Sequence, residues 1–298
     1  YHPYIGRGCT MSCSYCGGGA ESTRILLGRT SPYLRNVTRV CEEIGQMYDR
    51  GVRAIYVEYD PWPISRKYYA KLFRELREEK LDLGVNFGCW ALPDHELVKN
   101  FVTTFDVERS CMVVSPESGN EEVRAINTGV MYTNHELKNT LCVMKSENIN
   151  AIFCFCVRLP HETLQSFTQT LSLAETLQKM GGGIRIGSVP LEPASPMFLH
   201  SPKYGVKKLR STFHDYYEFG KALAMDTPPQ HPLGYETHEL SESDILSMKM
   251  RAYRELYLNP SYIFDRISKI KDASEFWKYV KIALGSLFRI SKPFYAEK

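Results

Sequence analysis

Five short apolar runs rich in β-branched residues recur along the chain, at 52–58, 83–88, 109–115, 150–157 and 184–189, and longer amphipathic stretches separate them. Short apolar runs alternating with 3.6-periodic segments predict strands joined by helical crossovers, a βαβα order. Asn36 to Asp49 has helical periodicity, and Ser65 to Lys80 sets Tyr, Leu and Phe on one face against Arg, Glu and Lys on the other. Thr133 or Asn134 caps a helix running to Glu147, and His161 to Met180 forms another that Gly181, Gly182 and Gly183 end. With Tyr4 to Arg7 as a first strand, the pattern predicts six βα units. From Pro190 it changes to a loop bearing Pro, Ser and His, then to helices around 206–225, 241–257 and 262–290. Parallel strands with right-handed crossovers close into a barrel or spread as a doubly wound sheet, and either way functional groups gather at the strands' C-terminal ends.

Composition narrows the class without naming a chemistry. With 298 residues and 43% apolar content, the chain has room for one large α/β barrel or two modest domains, and disorder is excluded as its main state. A net charge of +3 is too small to require nucleic acid or anionic lipid as a partner. No apolar run approaches the ~20 residues of a bilayer span, and Tyr1-His2-Pro3-Tyr4 lacks the basic start and apolar middle of a signal peptide. A soluble cytoplasmic protein is the expectation. Nine cysteines is an odd count, and the three closest together are too tightly spaced for a secreted disulfide framework, so reduced thiols and a metal cluster fit better.

Those three lie in Gly8-Cys9-Thr10-Met11-Ser12-Cys13-Ser14-Tyr15-Cys16-Gly17-Gly18-Gly19, with the spacing C-x3-C-x2-C just behind the first strand. A cubane cluster normally takes four cysteines, so three in one loop with no fourth nearby leave one iron open to a ligand from outside the protein. The glycines after Cys16 let the backbone pass close to a bulky group because no Cβ intervenes. A zinc site would want a fourth Cys or His, and a thioredoxin-like pair from Cys13 and Cys16 ignores Cys9. Buried structural cysteines do not suit a polar, Gly-rich loop.

The loop resembles the signature of the radical S-adenosylmethionine (SAM) superfamily, in which an aromatic residue, here Tyr15, commonly precedes the third cysteine. The resemblance implies a partial (β/α)6 TIM-like barrel over residues 1–200 with a C-terminal helical extension over 201–298. It also implies a [4Fe–4S] cluster on Cys9, Cys13 and Cys16, and SAM bound at the open iron and cleaved reductively to methionine and a 5′-deoxyadenosyl radical. A low-potential electron donor such as a ferredoxin or flavodoxin follows from that chemistry.

Later strand ends resemble further motifs of the superfamily. Glu58 or Asp60, in Tyr56-Val57-Glu58-Tyr59-Asp60-Pro61, stands where a Gly-Gly-Glu-like segment contacts the cofactor's ammonium, although the two glycines are missing. Ser115, Glu117 and Ser118, in Ser115-Pro116-Glu117-Ser118-Gly119, resemble a Glu-Ser-Gly turn that bonds the methionyl or ribose part, while Ser118 and Glu121 alternatively form a helix capping box. Arg158, in Arg158-Leu159-Pro160-His161-Glu162-Thr163, resembles a turn that has Gly at the position of His161, and its guanidinium suits the cofactor carboxylate or a structural acid. Cys154 and Cys156 are expected in the core, as are Cys41, Cys89, Cys111 and Cys142.

Arg185 to Met197, Pro202-Lys203-Tyr204-Gly205 and Tyr253 to Pro260 resemble the cobalamin-dependent branch, which implies methylation or rearrangement of an unactivated carbon. No Asp-x-His-x-x-Gly segment supplies a lower histidine. The chain starts at Tyr1 rather than Met, and a longer protein with an upstream cobalamin-binding domain is expected. The alternatives are a cobalamin-independent methylthiotransferase or peptide-modifying enzyme, or a non-catalytic metal-binding module. A small-molecule or peptide substrate is expected, with Tyr59, Trp62, Phe87, Trp90 and Tyr132 as aromatic lining or core.

Overall fold

The computed structural model describes residues 1–208 and 235–268, together with positions 212, 214, 217, 270, 272, 273, 276, 277 and 280. In chain order the first elements are β1 (Gly6–Arg7), α1 (Ala20–Leu27), β2 (Tyr33–Leu34), α2 (Val37–Asp49), β3 (Ala54–Val57), α3 (Ser65–Glu78), β4 (Gly84–Cys89) and α4 (His95–Val102). There follow β5 (Cys111–Glu117), α5 (Glu121–Thr128), α6 (Asn134–Ser146), β6 (Asn150–Val157), α7 (Leu164–Lys179), β7 (Gly183–Ser188) and α8 (Pro196–Leu199). Beyond them come β8 (Val206–Lys208), β9 (Tyr235–Thr237), α9 (Glu242–Ala252) and α10 (Pro260–Ser268).

Strands β3 to β7 form one parallel sheet in sequence order, with Tyr56, Asn86 and Cys111 in successive register. Each strand after β3 returns through helices, as the alternating pattern predicts. Burial explains why the sheet curls. Met112, Val114, Phe153, Phe155 and Val157 are fully buried, while the alternating Val113, Ser115, Cys154 and Cys156 keep part of their surface. A parallel sheet covered on both faces would read as continuous apolar runs, so this alternation means that helices cover one face and the other lines an open concavity. Arg185 of β7 comes close enough to Tyr56 of β3 to act on its hydroxyl electrostatically, so the two edges of the sheet approach across that concavity. The result is a partial barrel.

The helical layer locks onto the sheet through aromatic contacts. Phe87 of β4 meets Tyr69 and Phe73 of α3 edge-on, with ring centroids 4.8 and 5.6 Å apart. Helix starts follow local chemistry: the Asn36, Asp94 and Thr163 side chains each accept a first-turn N–H, and Thr133 with Glu136 forms a reciprocal capping box.

Three expectations are corrected. The first strand is only two residues long and pairs antiparallel with β2, so the parallel ladder has five strands and not six. Tyr1 nevertheless flanks β3, donating to Ala54 O at 3.1 Å and accepting from Tyr56 N at 2.7 Å. Second, the helix predicted at 206–225 opens as strand β8, which pairs antiparallel with β9; most of that span lies outside the described residues. Third, Cys142 is exposed on α6, whereas Cys41 and Cys89 are buried in the core.

The helix predicted at 241–257 is present as α9 continued by a π-helical turn at Tyr253–Tyr257, and Ile245, Met248, Ala252 and Leu256 join the main core. Of the segment 262–290, α10 covers the first part and most of the remainder lies outside the described residues. Among the described residues no helix is long and apolar enough to cross a membrane.

Candidate functional site

The cysteine loop is held over the C-terminal ends of the strands by bonds to three later segments. Ser14 N donates to Asn127 O at 2.8 Å, at the end of α5, and the Asn127 amide passes on to Pro160 O at 2.8 Å. Gly17 N donates to Glu192 Oε2 at 2.7 Å, and Met197 N to Ser14 O at 2.8 Å. Ser22 of α1 bonds both Cys16 O at 2.9 Å and Ala194 O at 2.7 Å. Two of the glycines make room for the protein's own chain: a Cβ on Gly17 would meet Glu192 Oε2 at 2.9 Å, and one on Gly19 would meet Met11 O at 3.0 Å.

All three cysteines are free thiols. Burial first pushes their pKa values up, that of Cys9 to about 11; neighbouring thiols add to it at Cys9 and Cys13, and the Glu192 and Glu117 carboxylates at Cys16. Three thiolates this close need a cation to be stable together, as iron supplies. Backbone amides already aim at the sulfurs: Met11 N lies 3.2 Å from Cys9 Sγ, and Gly18 N 3.3 Å from Cys16 Sγ. Among the described residues no three His, Cys, Asp or Glu side chains converge tightly enough for a single metal ion. A cubane does not ask for that, because each cysteine binds a different iron. The donor set therefore fits a [4Fe–4S] cluster with one iron left for an outside ligand.

Tyr15 carries the loop into the concavity. Its buried hydroxyl lies beside Cys13 and Glu117, and Glu117 accepts from Cys156 Sγ at 2.7 Å. Glu117 ends β5 at a register shift with φ +62°, a conformation that turns its side chain toward the loop. Burial of its carboxyl pushes the pKa up to about 7, against the pull of Cys156 and Tyr15. Ser115 lies beside Cys154 on the same face, and Glu58 is exposed at the end of β3. The concavity thus gathers Cys9, Cys13, Cys16, Tyr15, Glu117 and, farther off, Ser115 and Glu58.

Three expected site residues turn elsewhere. Asp60 is fully buried and accepts from Ser65, from Arg66 at 3.1 Å and from Trp90 N at 2.8 Å, which ties β3 to β4 and α3. Ser118 faces Thr170 of α7 at 3.3 Å, and Asn120, not Ser118, caps α5. Arg158 lies over the Tyr235 ring at 3.7 Å and donates to Tyr235 O at 2.6 Å and Val189 O at 3.2 Å. It fastens β9 to the barrel. His161 adopts φ +64°, the left-handed form that suits a glycine at that turn.

Cys154 and Cys156 are a further correction: they face the concavity, because Phe153, Phe155 and Val157 take the helix-covered side. Asn127, Glu192, Tyr56 and Arg185 were missed. Only the alternation on β7, which sets Arg185 opposite the apolar Ile184 and Ile186, pointed inward in sequence.

Gly119 has a different task. A Cβ there would lie 2.5 Å from Thr170 Cα and 2.6 Å from Gln169 O. Since backbone cannot yield as a side chain can, Gly119→Ala is expected to cost about 1–3 kcal/mol. Thermal unfolding followed by circular dichroism measures it, and an unchanged midpoint would show that α7 moves freely.

The sequence matches no family model and no curated protein. Solved structures do resemble it. One is the radical SAM methyltransferase TsrM from Kitasatospora setae with cobalamin and a [4Fe–4S] cluster bound: TM-score 0.56, 16% identity, 70% of this chain and 39% of that one covered. The same enzyme with tryptophan substrate and a SAM analogue gives TM-score 0.56 and 15% identity, covering 71% and 41%. The chain spans about two-fifths of the TsrM length. The fold is that of the radical SAM enzymes.

Proposed function

We propose that this chain is a radical SAM enzyme, in which Cys9, Cys13 and Cys16 hold a [4Fe–4S] cluster and Glu117 binds the cofactor's charged methionyl end. The observation that carries this is the Glu117 carboxylate, which accepts from Cys156 Sγ at 2.7 Å on the concave face and lies beside Tyr15 of the cysteine loop. Together the cluster and SAM supply one-electron cleavage of the sulfonium to methionine and a 5′-deoxyadenosyl radical. The chain's own residues orient. Cys156 and Tyr15 flank Glu117 and position it beside the cysteine loop.

We extend the proposal to cobalamin-dependent methyl transfer or rearrangement on a small-molecule or peptide substrate, on the strength of the likeness to TsrM with cobalamin bound. The test is 5′-deoxyadenosine formation by anaerobically reconstituted, reduced protein, with SAM titrated into wild type and Glu117→Gln. At pH 8, above the value to which burial lifts Glu117, the variant is expected to bind SAM about ten- to a hundredfold more weakly. That corresponds to a lost charge-assisted bond of about 1.5–3 kcal/mol. Equal dissociation constants would remove Glu117 from the site.

A further inference from the structure

The stretch behind the cysteine loop shows an unusual surface. Residues 24–31, Arg-Ile-Leu-Leu-Gly-Arg-Thr-Ser, are all exposed. Ile25, Leu26 and Leu27 keep 47%, 60% and 43% of their surface, and Tyr33 on the adjacent ribbon keeps 52%. Large contiguous apolar surface on a soluble domain marks an interaction site. Its rim is cationic. Arg7 and Arg24 are exposed, and Arg29 lies beside the Tyr33 ring at 5.9 Å; among the described residues none of the three makes an ion pair with a carboxylate. The acids close by are already engaged, Glu21 with His200 at 2.9 Å and Glu43 with Arg35 at 2.8 Å.

We propose that this face, built from α1 and the β1–β2 ribbon, docks an acidic, low-potential one-electron carrier protein. The inference rests on the radical SAM reading above. Charge complementarity selects the sign of the partner, while apolar residues ringed by arginine and tyrosine give the composition of interface hot spots. Location selects its kind. Helix α1 starts four residues after Cys16, and Ser22 and Thr23 on its first turn bond Cys16 O and Gly18 O. At about 1.5 Å of rise per residue the patch lies on the order of 10–15 Å from the cysteines, a short path for tunnelling through packed protein. None of its residues belongs to the concave face, so a carrier docked there leaves the substrate's access free. In the transfer the carrier loses one electron and the cluster gains it; no bond forms or breaks.

The test compares wild type with the double variant Arg24→Glu, Leu26→Asp and with Phe264→Asp, a control on α10 that is even more exposed than Leu26. Calorimetric titration with an acidic flavodoxin is expected to show binding that weakens with salt and is at least tenfold weaker in the double variant only. 5′-Deoxyadenosine formation driven by NADPH, flavodoxin reductase and flavodoxin should fall by a similar factor, while the dithionite-driven rate and iron content stay unchanged. Equal flavodoxin affinity in all three proteins would overturn the proposal. So would a sedimentation mass showing that wild type is a dimer which the double variant breaks, because the occupant would then be a second copy. If wild type with a full iron complement makes no 5′-deoxyadenosine under dithionite, the enzymatic reading fails, and the flavodoxin titration still decides the docking face.

Discussion

Replacing Cys9, Cys13 or Cys16 with alanine is expected to abolish iron binding, from about four irons and four sulfides per chain in anaerobically reconstituted protein to a trace. The reasoning is local. The loop carries only these three thiols, and two of them already receive backbone amides at 3.2 and 3.3 Å that complement sulfur charge. With one removed, two thiolates cannot hold a cubane against chelation by solvent thiols. Cys156→Ala is the demanding control, because its sulfur lies on the same concave face and bonds Glu117. It should keep its iron and its broad charge-transfer absorption, as should Cys154→Ala. Full cluster loading in any of the three loop variants would sink the ligand assignment, and loss in Cys156→Ala would move that residue into it.

What could be read in the sequence was what short-range chemistry decides. The cysteine spacing is complete within eight residues, and helix starts are marked by their caps, as at Thr133 before α6. Partners far along the chain were not visible. Arg158 was free to meet a cofactor carboxylate until Tyr235, 77 positions later, took its guanidinium. Ser118 was open to the site until Thr170 came to it across α7, and Asp60 until the end of β4 brought Trp90 N. On β6 the alternation separated Cys154 and Cys156 from Phe153 and Phe155, but alternation does not say which set meets the helices. Aromatic bulk decides that, since the larger rings fill the space beneath α7 and leave the smaller thiols to the concavity. The same limit applies to β8, which pairs with a strand from the far side of a long connection.

Glu162→Gln is expected to flatten the pH dependence of stability between pH 4.5 and 8, by roughly 3–5 kcal/mol across the window, at about 1.36 kcal/mol for each tenfold change in proton affinity. Glu162 is fully buried in the turn before α7. One carboxyl oxygen accepts from Arg158 N at 2.6 Å and from Leu159 N, while the other is buried with no hydrogen-bond partner. Burial outweighs those two bonds and lifts the pKa from 4.5 to about 8. Between those values the unfolded chain has released the proton and the folded chain still holds it. Stability from this group is therefore fully present below pH 4.5 and is lost as the pH rises toward 8. Glutamine cannot ionise and keeps one acceptor for the two amides, at the cost of a buried NH2 group that resembles the buried carboxylic O–H it replaces. Wild type and variant should thus be of similar stability at pH 5, and the variant should be clearly more stable at pH 8. Glu117 titrates in the same direction, so the readout is the difference between the two proteins in urea unfolding at each pH, not the wild-type profile alone. Parallel profiles would mean that Glu162 is ionised in the folded protein at neutral pH, with its second oxygen paired.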